Sequence, residues 1–583
     1  MRKGEVEHPG RVDEKCRGAE RDRIYVRKKT GMLRGAALMG AAMLISKTLG
    51  TMQKIPLQNI AGDRVFGIYN AVYPLYQLLL VMVTAGIPVA VSLLVAEREA
   101  AGDGGGARRV LRASSWLLFG SGAIGFALLW LNADRIALWM GDSATAPAVR
   151  TASLALWVAP VMAALRGYFQ GQGDMLPSAV SQLSEQTVRV GGMLIMLAVG
   201  WHYGWSDAKL AAGATSGSAI GGAAGLAVIA GYWMLRERGN SGYSYEGNGD
   251  GMTAESGMEH TKTRARDRLE GDGLLALMKR LSMLAVPVTL GALAVPALGV
   301  VDAFTVPRLL RGTGVSQAEA MSLFGLYSRG QPLVQLVVMV AGAMGAALVP
   351  ALAAARVRGD EAVMRQQAAF VLRVAWGLGA AAALGLALLA EPINVMLYAD
   401  DAGTRTFALV GCTALAGTVS AIAAAVLQGL GAVSAPALFM LAAAALKAAF
   451  NAALVPAYGT AGAACAGIAA LTAAALLGTG AVRRAAGAAL PARRAAGIGL
   501  ALAVMAAVLV LAERGGAPLL GLALPPRAAA SALALGGTAL GGALFAAAVL
   551  RFGGVTAREL RALPGGDALA ARLRRWRLLP AAE

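Results

Sequence analysis

The apolar residues of this chain fall into fourteen blocks, most of them about as long as the 20 or so residues needed to cross a bilayer as a helix. They lie at about 33–56, 66–96, 113–131, 148–168, 177–200, 210–235, 275–303, 320–352, 367–390, 406–428, 435–456, 460–481, 495–512 and 528–550. Such blocks are too long and too numerous for the buried helices of a soluble core. Each block must satisfy its own backbone hydrogen bonds in lipid, so each is expected to be a helix. The alternating strands of a barrel are not seen. The expected fold is therefore all-α and polytopic, and a charged fraction of 15% agrees, against about 25% in soluble domains.

The blocks are not independent. Phe66, Gly67, Tyr69, Pro74, Leu75, Gln77 and Leu78 recur at one constant spacing as Phe324, Gly325, Tyr327, Pro332, Leu333, Gln335 and Leu336. Gln170-Gly171 recurs at the same spacing as Gln428-Gly429. The chain thus reads as two six-helix lobes in tandem followed by two extra helices. An even number of spans per unit gives both lobes the same orientation, a parallel repeat with a path between the lobes. Gly67 and Gly325 are expected at equivalent places.

Most Lys and Arg lie on one side of this arrangement, in clusters such as Arg108-Arg109, Arg356/Arg358, Arg483-Arg484 and Arg574-Arg575. The positive-inside rule puts that side, and both termini, in the cytoplasm. The organisation expected is a tail at 1–32, a first lobe at 33–236, a polar cytoplasmic linker at 237–274, a second lobe at 275–485, two further spans within 486–552 and a basic tail at 553–583. Residues 1–31 have no apolar core and do not resemble a signal peptide.

The net charge of +19 therefore reports topology, and nucleic acid is not an expected partner, since no basic patch with interleaved aromatics is present. Cys16, Cys412 and Cys465 form no disulfide or metal framework, and His8, His202 and His260 have no partner at ligand spacing. No Walker A motif follows Gly104-Gly105-Gly106. No nucleophile–base or carboxylate pair stands out. Catalytic residues, metals and cofactors are not expected, and the protein does not read as an enzyme.

Ionisable residues inside a membrane are costly and point to function. Those placed deep are Lys47, Glu185, Arg189, Arg329 and Lys447. At about 1.5 Å of rise per residue, the four cations fall at similar depth, two per lobe, and would suit an anionic substrate. Glu185 and Arg189 are also spaced to neutralise one another on one helix face. Lys447 shares a face with Asn451. Arg329 precedes Gly330-Gln331-Pro332, where the helix should be irregular. Arg166 and Gln170 lie near the inner mouth.

Several motifs carry a family resemblance. Ser46-Lys47-Thr48-Leu49-Gly50, the segment from Phe66 through Tyr76, Thr84-Ala85-Gly86-Ile87-Pro88 and Arg166-Gly167-Tyr168-Phe169-Gln170-Gly171 resemble the SpoVB-type polysaccharide-export proteins. These are related to the MurJ lipid II flippases in the multidrug/oligosaccharidyl-lipid/polysaccharide exporter superfamily. The resemblance covers about residues 33 to 485. It implies movement of an undecaprenyl-diphosphate-linked saccharide, a peptidoglycan or spore-cortex precursor, from inner to outer leaflet of a bacterial plasma membrane. Lys47 and Arg329 fall where the MurJ branch has basic residues lining a cationic cavity. Two departures are visible: Lys47 stands for an arginine, and Tyr76-Gln77 replaces a basic pair.

The substrate site expected thus contains Arg329, Lys47, Arg189, Lys447, Glu185 and Gln170. The partners expected are a lipid-linked oligosaccharide, membrane lipids and cell-wall synthesis enzymes. A flippase for another surface polysaccharide, a cation-coupled drug exporter and a non-transporting scaffold remain alternative readings.

Overall fold

The computed structural model describes residues 35, 37–241, 273–487, 492–555, 559 and 566–575. The expected tail at 1–32 and most of the linker at 237–274 lie outside the described residues. The chain is helical throughout its apolar blocks, and among the described residues there is no strand. The first lobe comprises α1 (37–52), α2 (Lys54–Thr84), α3 (Ile87–Ala100), α4 (Gly104–Leu131), α5 (Ala133–Met140), α6 (Ala146–Ser153), α7 (Ala155–Gly171), α8 (Leu176–His202) and α9 (Asp207–Ser241). The second comprises α10 (Leu274–Gly312), α11 (Gln317–Ser328), α12 (Gln331–Val357), α13 (Glu361–Leu388), α14 (Ala390–Tyr398), α15 (Thr404–Gly429) and α16 (Ala435–Ala486). Outside the repeat stand α17 (Ala492–Ala523), α18 (Pro526–Arg551) and α19 (Gly566–Arg575).

Eleven helical segments among the described residues are long and apolar enough to cross a membrane. Two of them, 37–100 and 435–486, are double spans that turn back on themselves. The first turns at Gly62, with φ +77° and ψ 176°. The second turns at Gly459, with φ +59° and ψ −137°. Side chains do not reach these regions without strain, so glycine makes both reversals possible. After each reversal the chain packs against itself: the Gln53 amide donates to the Tyr69 hydroxyl at 3.0 Å, and Lys447 lies against Gly467. α8 has full spanning length and carries Glu185 and Arg189, completing a set of about fourteen spans. Large apolar side chains such as Trp116, Ile124, Ile195 and Leu511 are exposed on the outer helix surfaces. In lipid this is the low-energy arrangement.

The repeat is visible in the packing. α2 crosses α11 at the motif glycines. A Cβ on Gly67 would lie 2.1 Å from the Met321 carbonyl oxygen, and one on Gly325 would lie 2.0 Å from the Asp63 carbonyl oxygen. Asp63 and Met321 are themselves equivalent by the repeat spacing, so the contact is reciprocal about a two-fold axis. Small residues let the two backbones approach this closely. Phe66, Tyr69, Phe324 and Tyr327 surround the crossing, all buried.

The symmetry extends to the turns. The short helices α5 and α14 occupy equivalent places, and each ends on a left-handed residue, Gly141 (φ +98°) and Ala399 (φ +66°). An aspartate follows each. Asp142 accepts from the Ala144 N–H and Asp400 from the Ala402 N–H, both at 2.9 Å. These turns lie at the same end of the molecule as the glycine crossing. The other end carries Arg108, Arg109, Arg356 and Arg358 and is called the basic end below.

Candidate functional site

At the end opposite the basic one, the two lobes are joined through Arg329. α11 stops at Ser328 and α12 resumes at Gln331, with Pro332 in its first turn. The interruption turns the Arg329 side chain into the lobe junction, where it is fully buried. Its Nε and Nη2 donate to the two carboxylate oxygens of Asp63 at 2.8 and 2.6 Å. Its Nη1 and Nη2 donate to Asp400 at 2.5 and 3.1 Å. The Tyr398 ring covers the guanidinium at 5.1 Å, and the Tyr398 hydroxyl donates to the Arg329 carbonyl at 2.8 Å. Only the planar five-donor fork of arginine can serve two carboxylates in this way. Asp63 belongs to the first lobe and Asp400 to the second, so Arg329 is a latch between lobes.

The Arg329 hydrogen bonds hold the Asp400 carboxyl below the ordinary carboxylate range, against an opposing effect of burial. A depressed pKa means the Arg329–Asp400 bond, which lies within the second lobe, is fully formed above the ordinary carboxylate pKa and is lost as pH falls through the depressed value, while the bond across the lobes is the one to Asp63. The expected result is a separation between labels at Ser143 and Gln317, which bond across the lobes at 3.5 Å, that stays constant from neutral pH to about 5. Asp400→Asn, which leaves the Arg329–Asp63 bond across the lobes in place, should keep the same distance. Spin-label distance measurements on the protein in nanodiscs check both outcomes.

The remaining cations are also partnered, with one exception. In the first lobe, Glu185 bridges Arg189 at 2.5 Å and Arg166 at 3.0 Å, leaving the cluster with net positive charge. In the second lobe, buried Lys447 donates to Asp302 at 2.6 Å. Asp302 also accepts from the Tyr327 hydroxyl at 2.9 Å and from Asn451 at 3.2 Å. Lys447 is therefore linked through Tyr327 to the helix that ends at Arg329. Lys47 is exposed. Gln170 is half-buried near the basic end of α7, one turn beyond Arg166. The structure thus joins Glu185 to Arg189 and joins Lys447 to Asp302 and Tyr327, so that the link from Lys447 toward Arg329 runs through Tyr327, two positions before Arg329 in the chain. Among the described residues no hydrogen bond or ion pair joins Lys47, Arg189 or Gln170 to the second-lobe cations.

Sequence reasoning missed the acidic partners Asp63, Asp302 and Asp400. One signal was available for Asp400: it is the repeat counterpart of Asp142, which pairs with Arg64 at 3.5 Å. Nothing local marks the other two.

A cavity of about 900 Å³ opens among α12, α13, α17 and α18. Met344, Phe370, Leu386, Met505 and Phe545 line it, with Gly537 and Gly541 leaving room on α18. The walls are almost wholly apolar. The two helices outside the repeat supply one side of this space.

Two repeated lobes of membrane-spanning helices, joined at one end through Arg329 and in contact toward the basic end, where Arg280 pairs with Glu97 at 2.9 Å, and holding cations in their interiors, define a two-lobed membrane transporter fold. The chain belongs to the polysaccharide biosynthesis protein family, whose profile matches residues 32–356. It is 32% identical to the uncharacterized membrane protein YabM of Bacillus subtilis, over 94% of this chain and 98% of that one. It is 27% identical to the lipid II flippase MurJ of Bacillus subtilis, over 68% of this chain and 73% of the relative. The fold matches a solved structure of the lipid II flippase MurJ in an inward closed conformation, with a TM-score of 0.61 at 12% identity. That match covers 88% of this chain and 98% of the other. The family is the one the motifs at Lys47, Phe66 and Arg166 resemble.

Proposed function

We propose that the protein is a flippase. It moves an undecaprenyl-diphosphate-linked saccharide, a peptidoglycan or spore-cortex precursor such as lipid II, from the inner to the outer leaflet of a bacterial plasma membrane. The mode is alternating access of two lobes, without enzymatic chemistry. Both termini and the basic end face the cytoplasm, and the end closed by Arg329 faces outward. Tags at the C-terminus and within 237–274 are expected to react only after the cells are permeabilised.

The Arg329 latch carries this reading. Opening the outer end separates Asp63 from Arg329, so a diphosphate can take the place of the lost carboxylate only in the open state. A ligand biases a cycle only by such differential binding. Lys47, Arg189 and Lys447, with Glu185 and Gln170, would meet the anion on its way through the lobes. The apolar cavity beside α17 and α18 suits a polyprenyl chain, which must stay in a lipid-like environment while its head group crosses. An inside-negative potential favours outward movement of an anion by about 2.3 kcal/mol per charge per 100 mV. Tyr76-Gln77, in place of a basic pair, favours keeping a second reading with the same mechanism, in which the saccharide belongs to another surface polysaccharide. A drug exporter coupled to cations is less well supported: Glu185, Asp302, Asp63 and Asp400 are all bonded to Arg or Lys.

The test is a proteoliposome assay. Lipid II is placed in one leaflet, its appearance in the other is followed by an impermeant reagent, and a potential is imposed or collapsed. Transport faster than in protein-free vesicles, and slower without the potential, is expected. No acceleration with any lipid-linked saccharide would remove the flippase reading.

A further inference from the structure

A second polar cluster lies in the first lobe and involves residues not assigned above. Gln53, Lys54 and Gln186 are 3%, 8% and 7% exposed, so all are more than nine-tenths buried. Gln53 donates its amide to Tyr69, leaving its own Oε1 without a partner. The Nε2 of Gln186 is likewise unpartnered. So is the Nε of Arg189, whose Nη1 reaches the Gln186 Oε1 at 3.4 Å. Lys54 has no carboxylate at ion-pairing distance among the described residues, and its ammonium rests 5.6 Å from the centre of the Tyr73 ring. Tyr73 in turn stacks on Tyr69 at 5.6 Å. The groups are held together by α1, α2 and α8. Gly50, one turn before Gln53, admits the Gln186 amide to 2.8 Å from where a Cβ would sit.

A buried donor or acceptor left unmade is costly, and three are found together. A bare anion would answer the donors of Gln186, Arg189 and Lys54 but would leave the Gln53 carbonyl unmatched. A neutral sugar would leave the Lys54 charge unmatched. A sugar bearing an anionic group answers all of them, with hydroxyl or acetamido N–H for Gln53 and anionic oxygens for Lys54 and Arg189. Resting on the flippase reading, we infer that Gln53, Lys54, Gln186 and Arg189, backed by Tyr69 and Tyr73, form a subsite for the anionic saccharide of the substrate.

The test uses full-length protein in nanodiscs and four probes: N-acetylglucosamine 1-phosphate, N-acetylglucosamine, inorganic phosphate and undecaprenyl diphosphate without sugar. Wild type is expected to bind the sugar phosphate at least tenfold more tightly than either neutral sugar or phosphate. Gln53→Leu and Gln186→Leu should each weaken sugar-phosphate binding about tenfold and leave undecaprenyl diphosphate binding within twofold. Lys54→Met should weaken the sugar phosphate as much, and Lys54→Arg should restore it. Radical footprinting of the wild type needs no variant: the sugar phosphate, and not phosphate alone, should protect the half-buried Tyr73. Unchanged affinity in both leucine variants, or no protection of Tyr73, overturns the subsite and leaves internal water as the partner of these groups. If the wild type meanwhile transports lipid II, only the subsite has failed. If the sugar phosphate binds as expected and no lipid-linked saccharide is transported, the flippase reading has failed.

Discussion

Arg329→Ala is expected to abolish transport of the lipid-linked substrate while insertion and abundance stay near normal. The guanidinium is fully buried and holds carboxylates from both lobes. Removing one partner of a buried ion pair costs about 3–5 kcal/mol, because the remaining charges lose their compensation. Here two carboxylates would face each other across the junction, so the closed outer end should lose at least a hundredfold in population. The same substitution removes the cation that would meet the diphosphate in the open state. Arg329→Lys should be partly active, since a point charge can satisfy one aspartate but not both in bidentate fashion. Lys47→Ala should be impaired and Lys47→Arg tolerated. Two readouts separate the effects: outer-leaflet accessibility of the substrate, and the Ser143–Gln317 label distance. Full transport by Arg329→Ala at normal abundance would refute the cationic mechanism, and an unchanged label distance would refute the latch.

The second large effect is expected at the glycine crossing. Gly67→Leu or Gly325→Leu places side-chain atoms where a carbonyl oxygen already lies about 2 Å from the first added carbon. Neither backbone can yield locally, because each belongs to a helix buried among aromatic residues. The outer ends must therefore separate, and either variant should remain open outward and bind substrate without cycling. Gly62→Leu serves as a contrast, because nothing lies within 4 Å of its Cβ position. Its cost is backbone strain of about 1–3 kcal/mol at the reversal, seen as lower thermal stability rather than a clash at the crossing. Long label distances in both crossing variants, with transport lost, are the expected result. Transport at the wild-type rate in either one would show that the lobes do not close through this contact.

How much of this was legible beforehand follows from the kind of signal each feature leaves. The spans were legible because a bilayer imposes length and apolarity on every segment that crosses it. The repeat was legible because Phe66-Gly67 and Phe324-Gly325 keep their identity at one spacing, and their contact explains why those residues serve in both lobes. Arg329 stood out because a charge beside Gly330-Gln331-Pro332 has no cheap place in lipid. Its partners did not stand out. Asp63 follows the Gly62 reversal and reads as ordinary loop, and Asp302 sits close to a span end, where an acid is unremarked. Pairing between residues hundreds of positions apart has no periodicity. The apolar cavity was hidden for a related reason: α12, α13, α17 and α18 each read as plain spanning helices, and the space exists only in how they fail to fill one another.

The two halves are alike in backbone but not in how their matching aspartates are used. Asp142 binds Arg64 inside its own lobe, whereas Asp400 shares Arg329 with an aspartate of the other lobe. A symmetric assembly of two identical halves would carry this fastening twice, on opposite sides of the axis. Here one side is fastened by an ion pair and the other by the 3.5 Å hydrogen bond of Ser143 to Gln317. The lobes are then expected to part first along the more weakly held edge, and last along the Arg329 edge, where Asn59 also donates to the Leu397 carbonyl at 2.7 Å. The order of opening is then expected to rest on a single arginine that only one half of the duplicated chain possesses, the matching first-lobe position being Ala71.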